Sequence, residues 1–184
     1  MAIRTANELF IDQLKDTYSA EKQAVRVYPR FAKAATSPEL KDALQTHLEE
    51  TTKQVERLDQ VFEVLEKRST GKTCEGMKAL IEEALQHIEE VEDEVVLDSA
   101  LIAAAQKMEY YEIASYGTLV AFAQIIGQED IEELLSETLE EEKATDQKLT
   151  GISEAVNQQA ISQSAEQSQE NEEQASKRKN KRAA

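Results

Sequence analysis

The sequence predicts an all-α fold, a four-helix bundle made of two helical hairpins with a short fifth helix in the long crossover between them. Three observations carry this expectation. Alanine, leucine, glutamate, lysine and glutamine dominate the 184 residues, against only five glycines and two prolines, a composition rich in helix formers and poor in breakers. Apolar residues recur at alternating three- and four-residue steps over long stretches, which lays a stripe along one helix face. The third is an internal repeat. Shifted by 91 positions, "AEKQAVRVYPRFAKAATSPELKDALQTHLEETTKQVERL" lies without a gap on "YEIASYGTLVAFAQIIGQEDIEELLSETLEEEKATDQKL".

The first helix is expected from about Thr5 to Ala35, with Phe10, Leu14, Val25, Tyr28 and Ala32 on its apolar face. The second opens at Ser37-Pro38-Glu39 and runs to about Lys67. Ser37 suits the N-cap and Pro38 the first turn, where its missing N–H costs nothing. Residues 68–73 break the pattern before a short helix, about Glu75 to Val91. Cys74 and Met77 could suggest a soft-metal site, but anchoring this short helix is the expected role. The fourth helix spans about Glu94 to Ile126 and stops at Gly127, a residue suited to the left-handed C-terminal cap. The fifth is expected over about Gln128 to Val156. Domain organisation is therefore a bundle over 1–156 and a polar tail over 157–184. The tail has almost no large apolar residues and is expected to be disordered.

Charge narrows the function classes. The net charge of -16 argues against nonspecific binding of nucleic acid or an anionic membrane by the body. Only the basic end, Lys177 to Arg182, offers a nucleic-acid contact, and a solvated terminus is the simpler reading. A single cysteine, Cys74, excludes an intramolecular disulfide and points to a reducing cytoplasm. No stretch approaches the ~20 apolar residues of a membrane span.

Four glutamates interrupt the apolar stripes. Glu21 stands midway between Leu14 and Tyr28; Glu112 interrupts the run from Leu101 to Ile126. The second helix reads Leu40, Ala43, His47, Glu50, Gln54, Leu58, Val61, Leu65, and the fifth Ile131, Leu134, Thr138, Glu141, Thr145, Leu149, Ile152. Each seam is apolar at its ends and polar in the middle. The repeat pairs Glu21 with Glu112 and Glu50 with Glu141. Each lies 14 or 15 residues from its hairpin turn, a height of ~22 Å at ~1.5 Å per residue. Two hairpins joined end for end would bring all four carboxylates to the bundle centre. Unpaired carboxylates in a dry core are prohibitively costly; protonation, water or basic partners relieve part of that cost, and two divalent cations relieve it more fully, since bridging and terminal carboxylates suit iron or manganese. Two further candidates accompany them: His47, three residues before Glu50, for which the alternative is a histidine that supports a ligand or faces solvent, and Glu109, one turn before Glu112, with which Met108 competes for the inward direction. The expected metal ligands are thus Glu21, His47, Glu50, Glu109, Glu112 and Glu141.

This constellation resembles the ferritin-like di-iron proteins, in which each helix pair supplies a glutamate and a Glu-x-x-His motif. "DTYSAEKQ" (16–23), "HLEET" (47–51), "ALIAAAQKMEYYEIASYGTL" (100–119) and "ETLEEEKATDQKLT" (137–150) resemble signature blocks of the YciF/YciE group of bacterial ferritin-like proteins (DUF892). The similarity covers about residues 5–155. It implies a ferritin-like bundle, a homodimer and an association with bacterial stress responses. The leading functional expectation is a centre of two iron ions, or manganese or a mixed pair, reacting with peroxide or oxygen. The alternative is a non-catalytic iron- or manganese-binding protein, or a structural stress protein. One departure from the ferritin-like pattern matters: Glu50 is followed three residues later by Lys53 and Glu141 by Ala144, so neither half has Glu-x-x-His. The order is reversed in His47-x-x-Glu50, and the repeat mate of His47 is Thr138, which makes the two metal positions unequal.

Overall fold

A computed structural model describes the backbone of residues 2–70 and 72–182 and the side chains as far as Glu166. Helix α1, Ala6–Ala34, starts with a reciprocal cap: the Thr5 hydroxyl accepts from the Glu8 N–H and the Glu8 carboxylate accepts from the Thr5 N–H, satisfying two otherwise orphaned donors. Helix α2, Pro38–Val64, begins as expected with Ser37 accepting from the Leu40 N–H. It ends three residues short of Lys67, where Glu66 takes a left-handed conformation with φ 52°. Helix α3, Glu75–Glu90, is capped by the Cys74 thiol, which accepts from the Met77 N–H. Cys74 and Met77 are both fully buried, so they anchor α3. Helix α4, Glu94–Ile126, closes at Gly127 with φ 69°.

Helix α5, Glu129–Arg182, departs from expectation: the chain stays helical past Val156. Val156 and Ala160 are still buried against the bundle. Beyond them the glutamine, alanine, glutamate and lysine content has good helix propensity, and a helix already nucleated and packed extends at little further cost. The side chains of the basic end, Lys177 to Arg182, lie outside the described residues.

Helices α1, α2, α5 and α4 form a closed ring in which α1 packs on α2 and α4, and α5 on α2 and α4. Contacts between α1 and α4 run Phe10 to Phe122, Tyr28 to Glu109 and Thr36 to Asp98, so these helices are antiparallel. His47 meets Thr145 and Arg57 meets Glu137, making α2 and α5 antiparallel too. The hairpins therefore meet end for end. Asp98, 2% exposed, fastens one end by accepting from the Thr36 N–H at 2.8 Å, the Thr36 hydroxyl at 2.7 Å and the Ser37 N–H at 2.7 Å. Helix α3 lies outside the ring against α4 and α1.

The interior has two apolar clusters. One includes Tyr28, Phe31, Leu40, Leu44, Leu101 and Met108; the other includes Phe10, Leu14, Leu58, Phe62, Leu119 and Leu135. Between them lies a buried polar layer containing Glu21, His47, Thr51, Gln54, Glu109, Glu112, Thr138, Glu142 and Thr145. Apolar ends with a polar middle are what the seams predict. No described helix is long and apolar enough to cross a membrane.

Candidate metal centre

The centre assembles from three helices. His47 projects from α2, Glu109 and Glu112 from successive turns of α4, and Glu142 from α5. Their ligand atoms all lie within 4.8 Å of one another, and all four side chains are buried. His47 Nε2 is 3.2 Å from Glu109 Oε1 and 3.7 Å from Glu142 Oε2. The opposite ring nitrogen, Nδ1, is 3.1 Å from Thr145 Oγ1 and 3.4 Å from Glu50 Oε2. With the proton on Nδ1, the Nε2 lone pair faces the carboxylates, the tautomer a metal ligand requires.

Glu21 is wholly buried beside this group, and its Oε1 accepts from the Tyr116 hydroxyl at 2.6 Å. Tyr28 does the same for Glu109 at 2.7 Å and packs edge-on against the His47 ring. These two tyrosines are fully buried and hold each carboxylate in one orientation.

Two expected ligands lie elsewhere. Glu141 turns outward, where Arg57 grips it in a two-pronged ion pair, Nη1 to Oε2 at 2.7 Å and Nη2 to Oε1 at 2.6 Å, with Gln54 donating as well. Glu50 is 35% exposed and touches the cluster only through the far side of His47. Glu142, not Glu141, points inward, and on α2 the inward neighbour is Thr51, not Glu50. The cause is a one-residue ambiguity of helical phase. Between His47 and Gln54, or Thr138 and Thr145, the intermediate seam position follows by either three or four residues. Because the repeat pairs Glu50 with Glu141 and Thr51 with Glu142, both halves take the four-residue step together. The signal that picks it out is heptad spacing: Leu44, Thr51 and Leu58 are seven apart, as are Leu135, Glu142 and Leu149. Leu135 is accordingly buried, whereas Leu134 is only partly so. Tyr28, read from sequence as core, turns out to be a carboxylate partner.

Electrostatics mark the layer as strained. Burial pushes the Glu21 carboxyl up to about 7 despite the Tyr116 bond. Burial, compounded by neighbouring carboxylates, holds Glu112 and Glu142 well above the usual range. Burial opposes charge on His47 as well, but Glu109 outweighs it and raises the imidazole to about 10. The same contact keeps Glu109 below the usual carboxylate range in spite of its burial. One ion pair thus sits among carboxyls that cannot all ionise together.

Beyond the His47–Glu109 ion pair, many ligand atoms here lack a hydrogen-bond partner among the described residues: Glu109 Oε2, both oxygens of Glu112 and of Glu142, Glu21 Oε2 and Gln54 Oε1. Native proteins leave few buried polar atoms unpaired, and here those of Glu109, Glu112 and Glu142 belong to side chains that converge with His47. A hard or borderline cation suits this oxygen-rich, single-imidazole set.

An antiparallel helical bundle with a buried histidine–glutamate cluster able to hold a metal ion is the class that fold and site define. The chain belongs to the family described as a domain of unknown function, DUF892, whose model matches residues 5–162. Among its relatives is Protein YciF of Escherichia coli (strain K12), 50% identical over 153 residues, which are 83% of this chain and 92% of that protein. The crystal structure of the E. coli stress protein YciF matches with a TM-score of 0.82 at 48% identity, covering 85% of this chain and 99% of that one. YcfI from Rhodopseudomonas palustris, provisionally described as a structural protein, matches with a TM-score of 0.79 at 44% identity, over 80% of this chain and 94% of its own. A Xanthomonas campestris pv. campestris protein, 23% identical with a TM-score of 0.70 over 88% of this chain and 99% of its own, shares the fold. The resemblance to YciF and the DUF892 family read from the four sequence blocks therefore holds.

Proposed function

We propose that this chain is a ferritin-like metal protein of the bacterial stress response, cytoplasmic and homodimeric, whose buried centre holds iron and reacts with peroxide or oxygen. The observation that carries the reading is the convergence of unpartnered, fully buried donor atoms on one point. His47, Glu109, Glu112 and Glu142 would hold one cation. Glu21 Oε2, with Glu112 shared, would supply a second, which makes two irons per chain. The second position is the weaker, because Glu21 stands outside the group of four whose ligand atoms lie together. Manganese or a mixed pair suits the same donors. Bound iron would supply one-electron redox steps and Lewis acidity toward peroxide or oxygen. The chain's own residues do the rest. Thr145 orients His47 through Nδ1, Tyr28 and Tyr116 fix the Glu109 and Glu21 carboxylates, and the apolar clusters at either end keep bulk water out. The protonated carboxyls of the layer give up protons as a cation enters. The stress role draws on the relative named as a stress protein.

A second reading is a non-catalytic metal-binding or structural protein. The relative provisionally described as structural favours it, as does the His47–Glu109 ion pair, which already neutralises part of the layer. Elemental analysis followed by anaerobic addition of hydrogen peroxide to the ferrous protein separates the readings. The proposal predicts one tightly and one more weakly bound iron per chain, with repeated turnovers of peroxide. Binding without turnover favours the second reading. A folded chain that takes up no iron or manganese sinks every metal-centred version.

A further inference from the structure

A cleft of about 160 Å³ opens between α2 and α5, lined by Ala43, Glu50, Glu141, Ala144, Thr145 and Lys148 among others. Its walls include two alanines, Ala43 on α2 and Ala144 on α5, whose short side chains leave space between the helices. Two carboxylates stand in it, Glu50 at 35% and Glu141 at 27% side-chain exposure. They occupy equivalent positions in the 91-residue repeat, so the repeat that builds the centre also places an acid on each side of this opening. At the inner end lies Thr145, only 9% exposed, whose Oγ1 is 3.1 Å from His47 Nδ1 and 3.5 Å from Glu50 Oε2. The His47 ring spans the remaining distance, with Nδ1 toward the cleft and Nε2 toward Glu109 and Glu142. The apolar clusters flank the layer above and below, and α3 packs on α4 and α1, on the side of the ring opposite the cleft.

We propose that this cleft is the entry path of a divalent cation to the buried centre, with Glu50 as the capturing ligand and His47 as the ring the cation passes on its way to the Nε2 side. The inference rests on the metal-centre reading above. It accounts for why Glu50 sits outside the cluster yet stays joined to it through His47 and Thr145. Glu141, clamped by Arg57, contributes charge at the mouth but is less free to move with the cation. Lys148 lines the same opening, and its positive charge opposes cation entry, so the cleft carries an attractive and a repulsive charge whose removal has opposite effects.

The test is stopped-flow loading of the metal-free full-length chain with Co²⁺, followed by its visible absorption. A unit charge about 5 Å from a divalent ion in water, screened at physiological ionic strength, changes the ion's local concentration roughly fivefold. Glu50→Gln is expected to load about fivefold more slowly and Lys148→Gln about as much faster, by the same reasoning. Ala144→Leu, at an exposed position, is expected to slow loading by filling the gap. All three should reach the wild-type stoichiometry and affinity at equilibrium. Equal loading rates in wild type and variants overturn the entry path while leaving the centre intact. Loss of stoichiometry in Glu50→Gln also overturns it, since Glu50 would then be a resident ligand. A wild-type chain that binds no cobalt overturns the metal-centre reading itself, and the entry path with it.

Discussion

Replacing Glu112 by leucine should make the metal-free protein more stable and the metal-treated protein less responsive. Glu112 is 1% exposed and neither of its carboxylate oxygens has a hydrogen-bond partner. Leaving such a group unsatisfied costs about 1–3 kcal/mol, and exchanging buried ionic groups for apolar ones of similar volume often gains about 1–4 kcal/mol. Imperfect fit of the leucine offsets up to about 1.5 kcal/mol. The expected net is a gain of about 2 kcal/mol, which at ~2–4 °C per kcal/mol for a chain of this size raises Tm by roughly 4–8 °C. The assay is thermal unfolding followed by circular dichroism, first with a chelator and then with Mn²⁺. Saturating the wild type at a hundredfold excess over its Kd should add about 2.7 kcal/mol, an increment the variant should largely lose. The reasoning fails if Glu112→Leu unfolds at a lower temperature in chelator, or if it keeps the full Mn²⁺ increment.

The metal-free protein should lose stability as pH rises. Glu21 titrates near 7 when folded against 4.5 when unfolded, so the folded state holds the extra proton between those values. Its contribution declines from about pH 4.5 to 7, by on the order of 3 kcal/mol at ~1.4 kcal/mol per pH unit. His47, raised from 6.5 to about 10, acts in the same direction, with its contribution full below 6.5 and lost as pH passes 10. Urea titrations at pH 5, 7 and 9 measure this, and a midpoint that climbs with pH contradicts it. Tyr116→Phe removes the donor to Glu21 and should cost about 1–2 kcal/mol in the metal-free chain. It should also weaken metal affinity by about tenfold, as losses of outer hydrogen bonds do; calorimetric titration with Mn²⁺ checks this, and unchanged affinity refutes it. Asp98→Ala frees three donors at the α1–α2 turn and should lower stability by about 2–3 kcal/mol with metal stoichiometry unchanged, measured by urea unfolding and elemental analysis.

Most of the helical framework is legible in the sequence because the breaks are chemically marked. Ser37-Pro38 opens α2 and Gly127 closes α4 where expected, since capping chemistry is local. The hairpin pairing is legible because the 91-residue repeat equates heights on both halves. Three of the four clustered side chains, His47, Glu109 and Glu112, are recoverable from the seams. The fourth is missed by one residue. Helical periodicity tolerates a three- or four-residue step, and the run Glu140-Glu141-Glu142 presents a carboxylate at either choice. Only the flanking Leu135 and Leu149, through their packing in the two apolar clusters, decide that Glu142 turns inward. Arg57 on α2 then captures Glu141, a contact with no signature in either local segment. The length of α5 is missed for a different reason: absence of an apolar face predicts no packing, but a strong helix-forming composition can extend a helix anchored elsewhere.

Anomalous diffraction from crystals of the full-length chain grown with Mn²⁺ tests the central claim most directly. The account predicts a peak bounded by His47 Nε2 and the Glu109, Glu112 and Glu142 carboxylates, with bonds of about 2.0–2.3 Å typical of such ligands, and a weaker peak beside Glu21. Density confined to Glu50 and Glu141 at the surface, or a cluster that holds no manganese in saturated crystals, would contradict it.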